Sequence, residues 1–359
     1  DLYEGNEYDA PTLFSDDMHV LDPKKNAAFE FCEAELYLAY KEGKLVGRVA
    51  AIINHKANKQ WDTKAVRFGW IDFIDDIEVS RALLDAVGNY GKAHGMDNII
   101  GPLGFTDMDP EGMLTDGFDQ LGTMATLYNY PYYPRHMQEL GGWEKDNDYV
   151  EYKLIVPKEM PEKYMKVAQM IEKRYDLHVR AMTRREIFKD GYGHKVFEVI
   201  NETFKHLYGY SELSDRQIDQ YVKMYLPFVD LNWVPIVEDW SVTPHKLVGV
   251  GITIPSLSRA LQKLHRGRLW PFGWWDMLRV LKFHKTKIVD LLLIGVLPEY
   301  RVKGANALLF SHLIPIYQKY GIEWGETHVE METNGKVQSQ WQYLETVQHK
   351  RRRCYKKLI

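Results

Sequence analysis

An apolar run, Leu291–Pro298, passes straight into Glu299-Tyr-Arg-Val-Lys-Gly-Ala-Asn306 and then into a segment of helical spacing, 307–320. A strand that feeds a tight loop and then a helix aims several backbone N–H groups outward, beside the positive end of the helix dipole. Gly304 lets a ligand approach the backbone, and Arg301 and Lys303 add positive charge. Charge-assisted hydrogen bonds of this kind contribute roughly 1.5–3 kcal/mol each. A pyrophosphate suits such a loop. From the loop alone, a capped turn with solvated basic residues is the equal alternative.

The surrounding residues separate the two. Val296-Leu-Pro-Glu-Tyr-Arg-Val-Lys-Gly-Ala-Asn306 resembles the acetyl-CoA loop of the GCN5-related N-acetyltransferases (the GNAT superfamily), whose core pattern is Arg/Gln-x-x-Gly-x-Gly/Ala. The order hairpin, strand, loop, helix, strand around it is similar to that fold too. End to end, the chain is also similar to a set of bacterial proteins with two such domains in tandem. The segments that carry this are Leu2-Tyr-x-Gly-Asn6, Val46-Gly-Arg-Val-Ala50, Gly101-Pro-Leu-Gly-Phe105 with Gly112 and Asp116-Gly-Phe118, and Tyr130-Pro-Tyr-Tyr133.

The resemblance implies an α/β (α+β) fold of two tandem GNAT-like domains, with mixed, mostly antiparallel sheets flanked by helices. It implies an acyl-CoA-dependent N-acyltransferase, with acetyl-CoA or another acyl-CoA as co-substrate and a small-molecule or peptide amine as acceptor. The amides of Arg301, Val302, Lys303, Gly304, Ala305 and Asn306 would hold the pyrophosphate. Main-chain groups of Ile294 and Val296 would pair with the pantetheine arm, and Asn334 would touch the cofactor from the next helix. Three residues depart from the pattern. Asn306 stands where Gly or Ala is usual, and Trp341 stands where a tyrosine often serves as general acid. Indole cannot replace phenol as a proton donor to a thiolate. Tyr343 substitutes only if the backbone shifts.

An amine must lose a proton before it attacks a thioester. On 324–331, alternation places Glu326, His328 and Glu330 on one face. A solvated edge is the plain alternative, because charged residues are mostly exposed. Glu326 and His328 are the leading base candidates, and Asp290, at the start of the preceding strand, is the weaker one. The first half offers no such anion site: Asp75 and Glu78 have capping-box spacing, and Asp76 adds negative charge. That half is expected to scaffold the other or to shape the acceptor cleft.

Elements must hold these groups in place. In the first half, 35–54 reads as a hairpin through Glu42-Gly43-Lys44, then a strand at 66–74 and an amphipathic helix at 77–94. A turn-rich stretch, 101–122, reads as an ordered interface loop, and 149–156 as a strand. In the second half, helices at 192–208 and 215–226 precede a hairpin of 233–238 with 246–254. A strand at 289–297, a helix at 304–320, a strand at 324–331, a helix at 337–346 and a last strand at 353–359 follow. This repeated order predicts domains at 1–157 and 177–359, joined by 158–176. Between hairpin and cofactor strand lies 255–284, rich in Arg and Trp. It suits a planar or anionic acceptor, or else packs the domains together. Ser256 and Ser258 read as helix caps.

At 359 residues, the chain holds about two domains of ordinary size. Its 46 basic and 50 acidic residues leave a net charge of −4, which argues against a protein that coats nucleic acid. The one basic cluster, His349–Arg353 with Lys356 and Lys357, is expected on a solvated face. It also keeps two readings open, CoA 3′-phosphate binding and an aminoacyl-tRNA-dependent transferase of the peptidoglycan-bridge type. Trp341 keeps a third open, a non-catalytic acyl-CoA-binding or interaction protein. No HExxH motif or EF-hand spacing occurs, so no metal is expected. Cys32 and Cys354 read as free thiols. No apolar stretch is long enough to span a bilayer. The expectation is a cytoplasmic protein without a membrane partner. The chain opens on Asp1, so an upstream segment is either removed or missing.

Overall fold

The computed structural model describes residues 2–160, 162–338 and 344–359; Trp341 and Tyr343 lie outside them. The first half supplies β1 (Cys32–Lys41), β2 (Lys44–Asn54), β3 (Ala65–Phe73), β4 (Asn98–Gly101), β5 (Met113–Asp116) and β6 (Glu144–Ile155). The second supplies β7 (Leu177–Ala181), β8 (Pro235–Asp239), β9 (Lys246–Pro255), β10 (Ile288–Val296), β11 (Trp324–Thr327), β12 (Glu330–Met331) and β13 (Thr346–Leu358). All join one sheet, ordered β1-β2-β3-β4-β13-β6-β11-β10-β9-β8-β7, with β5 on β13 and β12 on β6. Only β3/β4 and β10/β11 are parallel. The helices that matter below are α1 (Ile77–Ala93), α2 (Glu162–Tyr175), α3 (Tyr192–Phe204), α4 (Gly273–Phe283) and α5 (Ala305–Lys319).

Local chemistry accounts for the hairpins. Glu42 and Gly43 both take positive φ (51° and 76°), the conformation that matches the twist of a two-residue β-turn. The two halves then repeat a device. In β10 the extra residue Leu292 forms a bulge against β9, and in β3 Trp70 and Ile71 together oppose Val49 of β2. The pairing with the parallel partner strand stops just ahead of each bulge. His328 N–H donates to Leu291 O (3.0 Å) in the second half, and Leu103 N–H to Phe68 O (2.9 Å) in the first.

The last strand of each half crosses over. β13 pairs with β4 of the first half, β6 pairs with β11 of the second, and the two lie antiparallel beside each other in the middle. Here the expected solvated basic cluster is corrected. Lys350 and Arg352 are 1% exposed, their charges spent on the fully buried Glu151. Lys350 Nζ lies 3.3 Å from Glu151 Oε2, and Arg352 Nε 2.6 Å from Glu151 Oε1. Arg351 and Arg353 both bind Asp148. Charges pointing to both faces did not mean solvent, because both faces of the central strands are covered.

Other boundaries change as well. The final strand starts at Thr346; of the helix expected over 337–346, the described residues give the turn Gly335–Gln338, and 339–343 lie outside them. The strand expected over 324–331 breaks at His328–Val329 into β11 and β12. Asp76, not Asp75, caps α1 by accepting from Glu78 N–H, while Asp75 pairs with Arg135 and His136. Neither Ser256 nor Ser258 caps a helix; their hydroxyls lie 3.2 Å apart beside Leu257. Both cysteines are buried free thiols.

Removing Lys350 takes away the buried cation shared by two buried carboxylates, Glu151 and Glu326, and leaves them Arg352 and His349 respectively. Lys350→Met is expected to cost roughly 3–5 kcal/mol in urea unfolding at neutral pH. Glu151 is held below the usual glutamate range by Lys350 and Arg352 despite its burial. The stability it contributes is therefore present above the ordinary glutamate pKa and lost on acidification. The gap between wild type and Lys350→Met should shrink as the pH falls below about 4.

Candidate active site

β10 and β11 pair only over Ile288–Leu291 and Trp324–Thr327, then diverge. Past the bulge at Leu292, four further residues of β10, Leu293 to Val296, keep their partners on β9 alone. Leu297 N–H donates to Val248 O, so by strand alternation the main-chain groups of Ile294 and Val296 face the open side of this V. At its mouth the chain turns through Pro298–Arg301 into α5. That helix has no acidic residue in its first turn, and its N-cap, Gly304, has φ 84°. The loop amides divide into two groups. Lys303 and Gly304 N–H are used within the turn, on Tyr300 O and Arg301 O, and Ala307 N–H returns to Gly304 O. Among the described residues, Ala305 and Asn306 N–H have no backbone partner.

Gly304 is needed for a reason other than the expected close approach of a ligand. A Cβ there would meet Ile171 Cδ1 of α2 at 2.7 Å, so the glycine admits α2 as well as the positive φ. α2 runs antiparallel along α5, with Tyr164 and Met160 near Phe310 and Ile314. Arg301 Nε donates to Val296 O (2.7 Å), which occupies one of the edge carbonyls assigned to the pantetheine arm. Burial holds its guanidinium below the ordinary arginine range, with no carboxylate in contact among the described residues. Lys303 lies over the Tyr300 ring at 4.3 Å, and Val302 is 88% exposed. Two unused amides and two cations without contacting carboxylates fit a diphosphate at this end of the V. Asn334 sits in the turn after β12, its N–H on Met331 O.

At the closed end of the V, a row of buried ionisable groups crosses the sheet. Asp290 on β10 is the register neighbour of Glu326 on β11. Glu326 Oε1 accepts from Lys350 Nζ (2.8 Å) and lies 2.7 Å from His349 Nε2. Burial opposes charge on Lys350, yet Glu151 and Glu326 hold its ammonium above the usual lysine range. Glu326 is thereby an anchor for the ammonium. His328 stands beside Glu151 and faces the carbonyls of Val329 and Ala125; burial lowers its pKa, so the ring is neutral at pH 7.

Asp290 differs from all of these. It is 1% exposed, and neither of its oxygens makes a hydrogen bond of ordinary geometry among the described residues. Burial, with Glu326 adding repulsion, raises it to about 7, though Ser256 and Lys350 pull it back. A carboxyl poised near neutrality, without a fixed partner, is what a general base requires. The sequence carried one sign of it, a single acid inside an otherwise apolar strand. His349 and Lys350, which tie up Glu326, carried none, since they reach it only across the exchanged β6.

In the first half, the position equivalent to Asp290 is Arg67, whose guanidinium donates to the carbonyls of Gly104 and Gly209. A cleft of about 720 Å³ opens beside it, lined in part by Trp61, Tyr208, Asp146 and Lys356. None of the residues expected in the site lines it. Among the described residues, no group of His, Cys, Asp and Glu is arranged to hold a metal, and no helix is long and apolar enough to cross a membrane.

The fold matches the GNAT superfamily. A solved GCN5-related glucosamine N-acetyltransferase region, from a fungal multi-domain β-N-acetylglucosaminidase, superposes with a TM-score of 0.54 at 14% identity, over 90% of this chain and 33% of that one. By sequence, the chain is 24% identical over 335 residues to the bacterial ceramide synthase of Caulobacter vibrioides, covering 87% of this chain and 82% of that protein. It is 25% identical over 365 residues to protein YghO of Escherichia coli, covering 100% and 90%. No family model matches the chain.

Asp290 yields a pH test. Its folded pKa is raised, so its contribution to stability is fully present below the unfolded value near 4 and lost as pH rises through about 7. Between those limits, wild type should lose on the order of 3–4 kcal/mol relative to Asp290→Asn. Parallel denaturant titrations at pH 4 and pH 7.5 measure this, and equal differences at both would remove the assignment.

Proposed function

We propose that this protein is an acyl-CoA-dependent N-acyltransferase whose acceptor is an amphipathic amine. The observation that carries the reading is the V between β10 and β11, with an open main-chain edge at Ile294 and Val296, the acid-free N-terminus of α5 at one end and Asp290 at the other. Bound acyl-CoA supplies an activated acyl carbonyl. The loop amides of Ala305 and Asn306, with Arg301 and Lys303, take its diphosphate, and the edge of β10 aligns its arm.

Asp290 accepts the proton that the amine must lose. The nitrogen then bonds to the acyl carbon, the C–S bond breaks, and an amide and the CoA thiol leave. Glu326, fixed on Lys350, keeps Asp290 proton-hungry by repulsion. The class of acceptor draws on the relative named as a ceramide synthase, since a ceramide is the amide of a long-chain amino alcohol. The acyl-CoA reading is preferred to the tRNA-dependent alternative because Arg351, Arg352 and Arg353 of the basic cluster are paired with Glu332, Glu151 and Asp148.

Two variants separate binding from chemistry. Asn306→Glu adds negative charge at the start of α5, where it favours the helix and opposes a diphosphate. By calorimetry it should weaken acyl-CoA binding at least tenfold while leaving the melting temperature unchanged or higher. With acyl-CoA and a long-chain amino alcohol, free-thiol release together with mass-spectrometric detection of the amide reports turnover. Asp290→Asn should lower kcat by about 10²–10⁴-fold with acyl-CoA affinity intact. Failure of wild type to bind any acyl-CoA would end this reading.

A further inference from the structure

The exposed aromatics of the insertion between β9 and β10 do not pack the two halves together; that contact falls to Gln262, which donates to Glu7 O and Asp9 O (both 2.8 Å), and to Arg268 over the Phe14 ring. Trp270 and Phe272 are 81% and 79% exposed, and Trp275 and Trp274 50% and 46%. On α4, Met277 and Val280 turn inward. Trp274, Trp275, Leu278, Arg279 and Lys282 fall within an arc of about 140° on the opposite, outward side. The same stretch is also strongly basic. Residues 258–287 hold eight Lys and Arg against the single acid Asp276, in a protein whose net charge is −4. Asp276 is itself paired with Lys263 (3.2 Å).

Exposed aromatics beside cations on one helix face have a physical logic. Indole and phenyl rings partition into the boundary between headgroups and acyl chains, while Lys and Arg meet anionic headgroups. A protein partner of ordinary composition offers the aromatics a pocket but leaves so dense a positive field without its complement. The charge pattern therefore selects the lipid surface. Absence of a spanning helix, which underlay the expectation of no membrane contact, does not bear on a helix lying in the interface.

We propose that the 258–287 insertion docks this protein on a bilayer surface carrying anionic headgroups, with α4 lying in the interface. The placement deepens the acyltransferase reading. Ser256, at the root of the insertion, adjoins Asp290, and its N–H bonds to Ile288 O (2.9 Å). An amphipathic amine resting in the membrane would enter from the side on which the base lies. Docking itself needs no catalysis, so its failure and that of the acyltransferase reading are distinguishable.

The test is co-sedimentation of the full chain with vesicles of phosphatidylcholine alone and of phosphatidylcholine with 30 mol % phosphatidylglycerol, a composition chosen at roughly the anionic content that gives useful surface potentials. Wild type should bind the anionic vesicles, and added salt should release it. Trp270→Ala/Phe272→Ala should weaken binding at least tenfold with an unchanged melting temperature, since both side chains are exposed. Arg279→Gln/Lys282→Gln should weaken it about 25-fold, at roughly fivefold per charge. No binding by wild type at low salt would overturn the proposal. So would equal binding to neutral vesicles, or a wild-type dimer that the aromatic variant makes monomeric while neither binds vesicles.

Discussion

The exchange of β6 and β13 between the halves is the constraint on which everything else rests. Each half lacks the strand that would complete its own sheet and receives it from the other. Edge strands left unpaired are costly and aggregation-prone, and reciprocal pairing removes both edges at once. The exchange also explains why charged residues lie at the centre of the sheet. Glu151, Lys350, Arg352 and Glu326 come from three strands of both halves and satisfy one another where water is excluded. Buried pairs of this kind contribute little net stability beside a well-packed apolar substitute, but they are intolerant of losing a member. They therefore hold the two halves in one register more than they strengthen the fold.

From that fixed register follows the placement of the site. The bulge at Leu292 shifts the side-chain alternation of β10 by one position. Before it, Val289 and Leu291 pack under α5 and Asp290 faces the other way. After it, Gly295 faces Thr203 of α3, and Ile294 packs with Phe310 on the α5 side. One inserted residue thus lets a single strand present a main-chain edge in its second part and a buried carboxyl on the opposite face in its first. The same bulge in β3 is followed by α1, whose first turn is closed by Asp76 on Glu78 N–H. Two copies of one architecture have diverged at the helix N-terminus, where a single acidic side chain decides whether anion-binding amides stay available.

How much of this was legible differs by element. Hairpins with a two-residue turn, the amphipathic α1 and the loop ahead of α5 rest on local rules: positive-φ residues, 3.6-residue periodicity, and a glycine where a helix begins. These were readable. The final strand was not, because its alternating charges match a solvated edge, and its long-range partners, Glu151 and Asp148, precede it by about 200 residues. The proposed ranking of the bases, with Asp290 first, draws on contacts of the same long range. Glu326 and His328 share a face by alternation, but what Lys350 and His349 do to Glu326 depends on a strand that arrives from the chain terminus. The aromatic insertion was legible as composition, while its exposure was not.

The sequence by itself determined the kinds of element, their order in two similar halves and the strand–loop–helix junction at 291–320, because each is set by neighbours within about a dozen residues. Tertiary structure alone decided that the halves exchange strands, that Gly304 admits α2 as well as a turn, and that Asp290 is buried with neither oxygen in a hydrogen bond of ordinary geometry among the described residues. Each of these depends on desolvation and pairing between residues remote in the chain. Burial and charge neutralisation are properties of the assembled neighbourhood, and no local pattern encodes them.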